Sequence, residues 1–466
     1  MKLTLFFKIL YRSVFGFLMI ISISCKENQE IKTTSNFKIL PEIKTSLADL
    51  VRVWYPISID SINGGFYPDF NYKWEKEGEQ NKMLVTQARH IWTASALASF
   101  YGDSKYEKIA AHGYHFLRDQ MWDTKYGGFH TLLVNDGDSL KPAASTKSSY
   151  GNAFAIYGLA AYYGISKDSS ALNLAKKTFY WLEEHAHDPM YKGYFDVLHL
   201  DGSWMLDVEE NDKEYDNFIR KDWKDQNSSI HLMEAFTALY EVWPNPLLKE
   251  RLEELLILIR DTITTQKGFL TLHLERDWTP VSFKDSTETY RTENFWLDHV
   301  SFGHDVETGF LLLETAQALY HQKDSTTMEI AKRMVDHGID RGWDVEKGGF
   351  FDGGYYLDDS DVCTILNPAK IWWSQAEGLN ALLLMSQLYP DEKEYYELFE
   401  KQWQYINEHM IDHTYGGWYD EGLDSNPEAV QHLKAQIWKV NYHNIRALIN
   451  VIQMLEGKFK LTNNEP

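Results

Sequence analysis

Three histidines carry the chemistry that this 466-residue sequence offers. His304 sits in Ser301-Phe302-Gly303-His304-Asp305-Val306-Glu307, directly before the apolar run Phe310 to Leu313. A small polar residue followed shortly by glycine reads as a helix entry. That puts His304 in the first turn and Glu307 three residues on, on the same face. The positive end of the helix dipole disfavours an imidazolium there, and a neutral imidazole beside a carboxylate is a base near neutral pH. His231 repeats the pattern with Glu234 three residues later, and His443 opens another apolar segment in Tyr442-His443-Asn444-Ile445-Arg446. Arg89, in Gln87-Ala88-Arg89-His90-Ile91-Trp92, lies inside an apolar helix, where a guanidinium needs an anionic or oxygen-rich partner. Singly, each histidine reads equally well as a structural residue, and Arg89 as half of an ion pair. Their recurrence at helix starts is what points to a site.

The elements that position these residues repeat. A glycine followed by an aromatic residue returns at Phe66, Phe129, Tyr194-Phe195, Phe269, Phe350 and Trp418, which marks six units of similar length. Glycine pairs permit positive φ, so a tight loop or short hairpin is expected at each. Charged amphipathic helices are predicted before the loops, at about 40–55, 104–121, 170–187, 246–264, 325–341 and 393–410. More apolar ones follow, at about 84–100, 150–163, 229–243, 304–320, 371–388 and 443–456. Six pairs, each with one half-exposed and one enclosed member, predict an all-α (α/α)6 barrel with β-hairpin and loop insertions at one rim. An open solenoid is the structural alternative. The tracts 190–228 and 267–303 are expected to cover that rim. The N-termini of the inner helices would then line it, bringing Tyr150, Asn227, Trp372, Trp373, Glu377 and Trp438 beside the histidines and Arg89.

The net charge of −22 argues against nucleic acid or an anionic membrane as partner, and the 16 Trp and 28 Tyr suit either sugar rings or core packing. Residues 1–24 read as an export signal: Lys2, Lys8 and Arg12 precede an apolar run ending at Ile23-Ser24-Cys25. Ser22-Ile23-Ser24-Cys25 is similar to a bacterial lipobox, which makes Cys25 the expected lipidation site and residues 25–37 a polar tether to a domain at 38–460. An exported, membrane-anchored lipoprotein follows, with an uncleaved signal anchor as the competing reading. Cys363 is the only other cysteine, so no intrachain disulfide is expected. There is no His-Glu-x-x-His motif, cysteine cluster, phosphate-binding glycine loop or Gly-x-Ser-x-Gly elbow, so neither a metal nor another cofactor is expected.

As an ordered set the helix starts resemble the N-acylglucosamine 2-epimerase superfamily, and within it the cellobiose 2-epimerases. The resembling residues are Gln87-Ala88-Arg89 with Trp92, Asn227 with His231-Leu232 and Glu234-Ala235, and Ser301 with Gly303-His304-Asp305 and Glu307. Trp372-Trp373 with Gln375-Ala376-Glu377, and Trp438-Lys439 with Tyr442-His443-Asn444, complete it. The resemblance implies C2 epimerisation of a reducing-end sugar without metal or nucleotide. It implies His304 and His443 as the acid/base pair, His231 in ring opening and Arg89 on the enediolate oxygens. Asn227, Glu307, Trp373, Trp438 and Tyr150 would orient the substrate or the histidines, with Glu307 orienting His304. Thr308-Gly309-Phe310 departs from the bulkier residues that many cellobiose epimerases carry there, which predicts an altered adjoining pocket. The alternatives are an aldose–ketose isomerase, an inverting glycoside hydrolase, and a non-catalytic glycan-binding surface lipoprotein.

Overall fold

The computed structural model describes residues 39–135, 139–205, 223–357, 361–392 and 394–459. Residues 1–37, expected to hold an export signal, the lipidation site Cys25 and a polar tether, lie outside them. Helix α1 spans 39–54. It is followed by α2 (Leu84–Tyr101), α3 (Ser104–Phe116), α4 (Ser149–Ser166), α5 (Ser169–His185), α6 (Gln226–Val242) and α7 (Pro246–Leu258). Short helices α8 (Glu288–Glu293) and α9 (Phe295–Asp298) precede α10 (Phe302–Tyr320), α11 (Ser325–Gly342), α12 (Trp372–Leu388), α13 (Glu394–Tyr405) and α14 (Tyr442–Leu455). The inner helices α2, α4, α6, α10, α12 and α14 pack each on the next, and α14 packs back on α2. The ring is closed, as an (α/α)6 barrel requires and an open solenoid does not.

A repeated stitch sets the direction of every inner helix. The residues just before it pair with the chain that follows the glycine loop of the next unit. Lys82–Met83 pairs with Leu132–Asn135, Thr146–Ser148 with Val197–His199, Lys224–Asp225 with His273–Leu274, and Val300–Ser301 with Gly353–Tyr356. Ile371 bridges Glu421, and Ala435 returns to Phe70 of the first unit. All six inner helices therefore begin at one rim.

Beneath the loops lies a second repeat that hydrophobic patterning does not reveal. Lysines ahead of the inner helices, two residues before α2, α4, α6 and α12 and eight before α14, form buried ion pairs with aspartates that open the loops. Lys82–Asp60 is 2.8 Å, Lys147–Asp123 2.7 Å, Lys224–Asp188 3.2 Å, Lys370–Asp344 2.8 Å and Lys434–Asp412 2.6 Å. Asp60, Asp123, Asp188, Asp344 and Asp412 also accept backbone N–H groups of their own turns, so each carboxylate is both paired and bonded. In the fourth unit Val300 takes the place of the lysine and Thr265 that of the aspartate. Cation and anion are missing together, as expected when either one alone would be a buried uncompensated charge.

Helix boundaries follow the predicted ranges closely. The main difference is that α3, α7 and α13 each end in a π-helical turn, at Leu117–Met121, Ile259–Ile263 and Ile406–Met410. Replacing Lys147 with Met strands Asp123 in the interior. The variant is expected to lose about 3–5 kcal/mol of stability, read as a lower urea midpoint with an unchanged slope.

Candidate active site

The rim holds a cavity of about 540 Å³ lined in part by Asn227, Ser301, His304 and Trp373 from the helix starts, and by Trp296 and Asp352 from the covering loops. His304 is the third residue of α10. Ser301 occupies the N-cap position, yet its hydroxyl caps no backbone N–H; instead Oγ lies 2.8 Å from His304 Nδ1. Ser148, at the matching position of α4, does cap its helix through Gly151 N–H. The cap of α10 has been exchanged for a hold on the imidazole, a substitution that costs a helix about 1 kcal/mol. His304 keeps part of its ring open to the cavity. Burial, with His231 and His299 nearby, pushes its pKa down to about 3.

Trp373 stands between the two principal histidines, with ring centroids 4.6 Å from His304 and 5.8 Å from His443. His443, the second residue of α14, places Nδ1 2.7 Å from Glu377 of α12 and 3.8 Å from Glu307 of α10. Burial and then the cations Arg89 and Arg446 hold its pKa well below the usual histidine value. His231 pairs through Nδ1 with Glu234 at 2.8 Å, the i,i+3 contact read from the sequence. Its ring also lies edge-on to Tyr150, at 5.3 Å.

The corresponding contact from Glu307 to His304 does not form. Glu307 points instead to Arg446, three residues beyond His443 on the same face of α14. Arg446 also binds Glu234 and reaches Glu377 at 2.7 Å, so one guanidinium gathers carboxylates from α6, α10 and α12. Three acids around one arginine leave negative charge in excess. Burial, then Glu377, raise Glu307 to about 7, whereas for Glu234 the attraction of Arg446 and the His231 bond outweigh burial and lower it to about 2. Glu307, Glu377 and His443 bring potential ligand atoms within 4.8 Å of one another. The Arg446 guanidinium already occupies one oxygen of each of these two carboxylates, which sets a resident cation against any metal ion there.

Arg89 is buried without an ion pair among the described residues. Nη2 donates to the Tyr150 hydroxyl at 2.9 Å and Nη1 to the Trp438 carbonyl at 3.2 Å. The guanidinium lies over the rings of Phe154, at 4.4 Å, and Tyr442, at 5.2 Å, and Nε has no partner. Of the two partners expected, anionic or oxygen-rich, the described residues supply the second: a hydroxyl and a carbonyl, with no rim carboxylate among them. Asn227 keeps Oδ1 buried at the cavity, without a partner among the described residues.

Three further expectations are corrected. Trp372 does not line the cavity; one position along the helix from Trp373, it packs on the barrel core. Glu377 serves His443 and Arg446 rather than an open surface. Phe310 is a core residue, 2 % exposed, and Gly309 lies against α11, where a Cβ would stand 3.1 Å from the Ala331 carbonyl oxygen. The Thr308-Gly309-Phe310 departure therefore shapes helix packing and leaves the cavity alone. Trp438 is half exposed and contributes its carbonyl. Arg446 has no role that its local sequence alone assigns. Its signal was available: a charged residue in an apolar inner helix, one turn from a candidate base.

The structure is a closed ring of six helix hairpins with histidines, arginines and carboxylates gathered at one rim. The model of the N-acylglucosamine 2-epimerase family matches residues 65–447, and the chain belongs to this family. A cellobiose 2-epimerase of Ruminococcus albus is 28% identical over 416 residues, covering 89% of this chain and 98% of its own. A D-mannose isomerase of Marinomonas mediterranea is 26% identical, covering 89% and 97%. The structure of the cellobiose 2-epimerase of Spirochaeta thermophila superposes with a TM-score of 0.76 at 26% identity, over 91% of this chain and 98% of that one.

The raised pKa of Glu307 gives a test of the carboxylate cluster. A carboxyl whose folded value lies above its unfolded value contributes stability below the unfolded value and loses it as pH rises through the folded one. Between pH 5 and 8 the wild type should lose about 3 kcal/mol relative to Glu307→Gln. Urea unfolding of both proteins across that range measures the difference.

Proposed function

We propose that the protein is a sugar 2-epimerase that interconverts gluco and manno configuration at the reducing end of a β-linked disaccharide or short oligosaccharide. The observation that carries this reading is a buried guanidinium, Arg89, with no counter-ion among the described residues, close to His443 and, with His304, part of a group of two neutral imidazoles on different helices. Epimerisation beside a carbonyl needs a proton removed from one face of C2 and returned to the other, and an anionic oxygen stabilised in between. His304 and His443 are the two proton carriers, and Arg89 with Tyr150 receives the enediolate oxygens. Asn227 and Trp373 position the sugar. His231, backed by Glu234, assists ring opening by moving the proton from O1 towards the ring oxygen.

The two bases are supported differently. A hydroxyl, either donor or acceptor, stands behind His304, so its ring can take either neutral tautomer. A carboxylate stands behind His443, which favours Nδ1–H and leaves Nε2 free to accept a proton, with Glu377 and Glu307 to compensate the imidazolium that results. An inverting hydrolase would need two opposed carboxylates about 6.5–9.5 Å apart facing the substrate. Here Glu234, Glu307 and Glu377 turn to Arg446, and the carboxylates that line the cavity, Asp196, Asp225 and Asp352, accept bonds from Tyr150 N–H, Ser228 N–H and the Asn367 amide.

The test is incubation with cellobiose, mannobiose, glucose and mannose in D2O, followed by NMR. Deuterium at C2 with a gluco/manno mixture is the expected result; ketose signals would assign an isomerase instead. His304→Ala and His443→Ala should each lower epimerisation by about 10²–10⁴-fold, and a variant with one remaining base should exchange the C2 proton of one epimer only. Full exchange of both epimers by either variant would refute the two-base pair.

We also propose that the enzyme is exported and anchored through lipidated Cys25, a reading supported by the sequence before it. Radiolabelled palmitate should enter the full chain and not Cys25→Ser. Equal labelling of the two would remove the anchor.

A further inference from the structure

A second hollow, of about 700 Å³, lies beside the rim cavity, and Trp296 of α9 lines both. Two other contacts form the partition. His299, which lines the rim cavity, stacks at 4.6 Å on Phe295, which lines the hollow. Asn367 in the hollow donates to Asp352 in the cavity at 2.9 Å. The Trp296 ring is held edge-on by Phe295, at 5.1 Å and 77°, and by His299, at 5.2 Å and 84°. Its indole is 49 % exposed, and Leu366, across the hollow, is equally open. A large aromatic side chain fixed in orientation and left open to solvent at the mouth of a reaction chamber is unusual on a surface without a ligand. The remaining lining combines Arg291, Asn367 and Glu288, which offer both donors and acceptors, as a neutral polyhydroxylated ligand requires.

We propose that this hollow is a distal subsite that receives the third pyranose of a neutral β-linked oligosaccharide, with Trp296 as the platform over which the chain leaves the reaction chamber. The proposal rests on the epimerase reading for the direction of the chain and extends it: the preferred substrate is longer than a disaccharide. Two apolar surfaces, Trp296 and Leu366, supply contact to the ring faces, and Arg291 and Asn367 bind the equatorial hydroxyls at its edge.

Titration calorimetry tests the subsite without requiring turnover. Cellobiose, cellotriose, mannobiose and mannotriose are titrated into the wild type, Trp296→Ala and Leu366→Asp. In one of the two series the trisaccharide should bind the wild type about tenfold more tightly than the disaccharide, the worth of one stacked ring. Both variants should abolish that difference, and Leu366→Asp should leave disaccharide affinity within about twofold, since Leu366 lines only the distal hollow. Equal affinity of the wild type for both lengths in both series, or retention of the preference in both variants, would overturn the subsite. So would a dimer in solution that Leu366→Asp dissociates, because the hollow would then be a contact between two copies of the chain. C2 deuteration of the same sugars, measured in parallel, reports on the epimerase reading separately: its absence with retained length discrimination would sink that reading and leave the subsite standing.

Discussion

Arg446 binds carboxylates from three other helices of the ring, and the geometry of the chamber depends on this one guanidinium. It projects from α14 to Glu234 on α6, Glu307 on α10 and Glu377 on α12, and all four residues are almost fully enclosed. Such a hub is costly to desolvate, because a cation and three acids leave water together. Removing the cation would leave three buried carboxylates with only the neutral partners His231, Tyr442 and His443. The remaining inner helices, α2 and α4, are tied in by Arg89 through Tyr150 and Phe154. The barrel closes around two buried arginines: Arg446 pairs with three carboxylates, and Arg89 with none among the described residues.

That difference organises the electrostatics. Arg446 and its carboxylates form an excess-negative pocket behind His443, able to compensate an imidazolium for the duration of a proton transfer. Arg89, held by a phenol, a carbonyl and two aromatic faces, remains available for a negative charge that appears only during reaction. His304 belongs to neither group. Its support is Ser301, a hydroxyl withdrawn from capping α10, so the helix end gives up a local bond to hold a side chain. Strain-free local structure and the site compete at that position, and the site prevails.

Much of this was legible in the sequence. The six glycine loops and the alternation of charged and apolar helices predicted the barrel because hydrophobic periodicity and positive-φ glycines report local backbone and burial directly. The placement of His231, His304, His443, Arg89 and Asn227 at one rim followed from the repeat. Partner choice did not. His-x-x-Glu looks the same at His231 and His304, and only the first forms the pair, because Arg446, distant in sequence, draws Glu307 away. Trp372 and Trp373 are likewise adjacent in sequence, and the helix turn sends one to the core and the other to the cavity. The buried Lys–Asp pairs escaped notice for a related reason: a lysine and an aspartate roughly twenty to forty residues apart carry no periodic signal, although each recurs in five of the six units.

Two neutral imidazoles with unlike support are the centre of the chemistry, and the ¹⁵N NMR of the histidine side chains observes them directly. With the free enzyme at pH 6, both His304 and His443 should be neutral, and His443 should carry its proton on Nδ1, hydrogen-bonded to Glu377. An imidazolium at either position, or a His443 protonated on Nε2 alone, would contradict this.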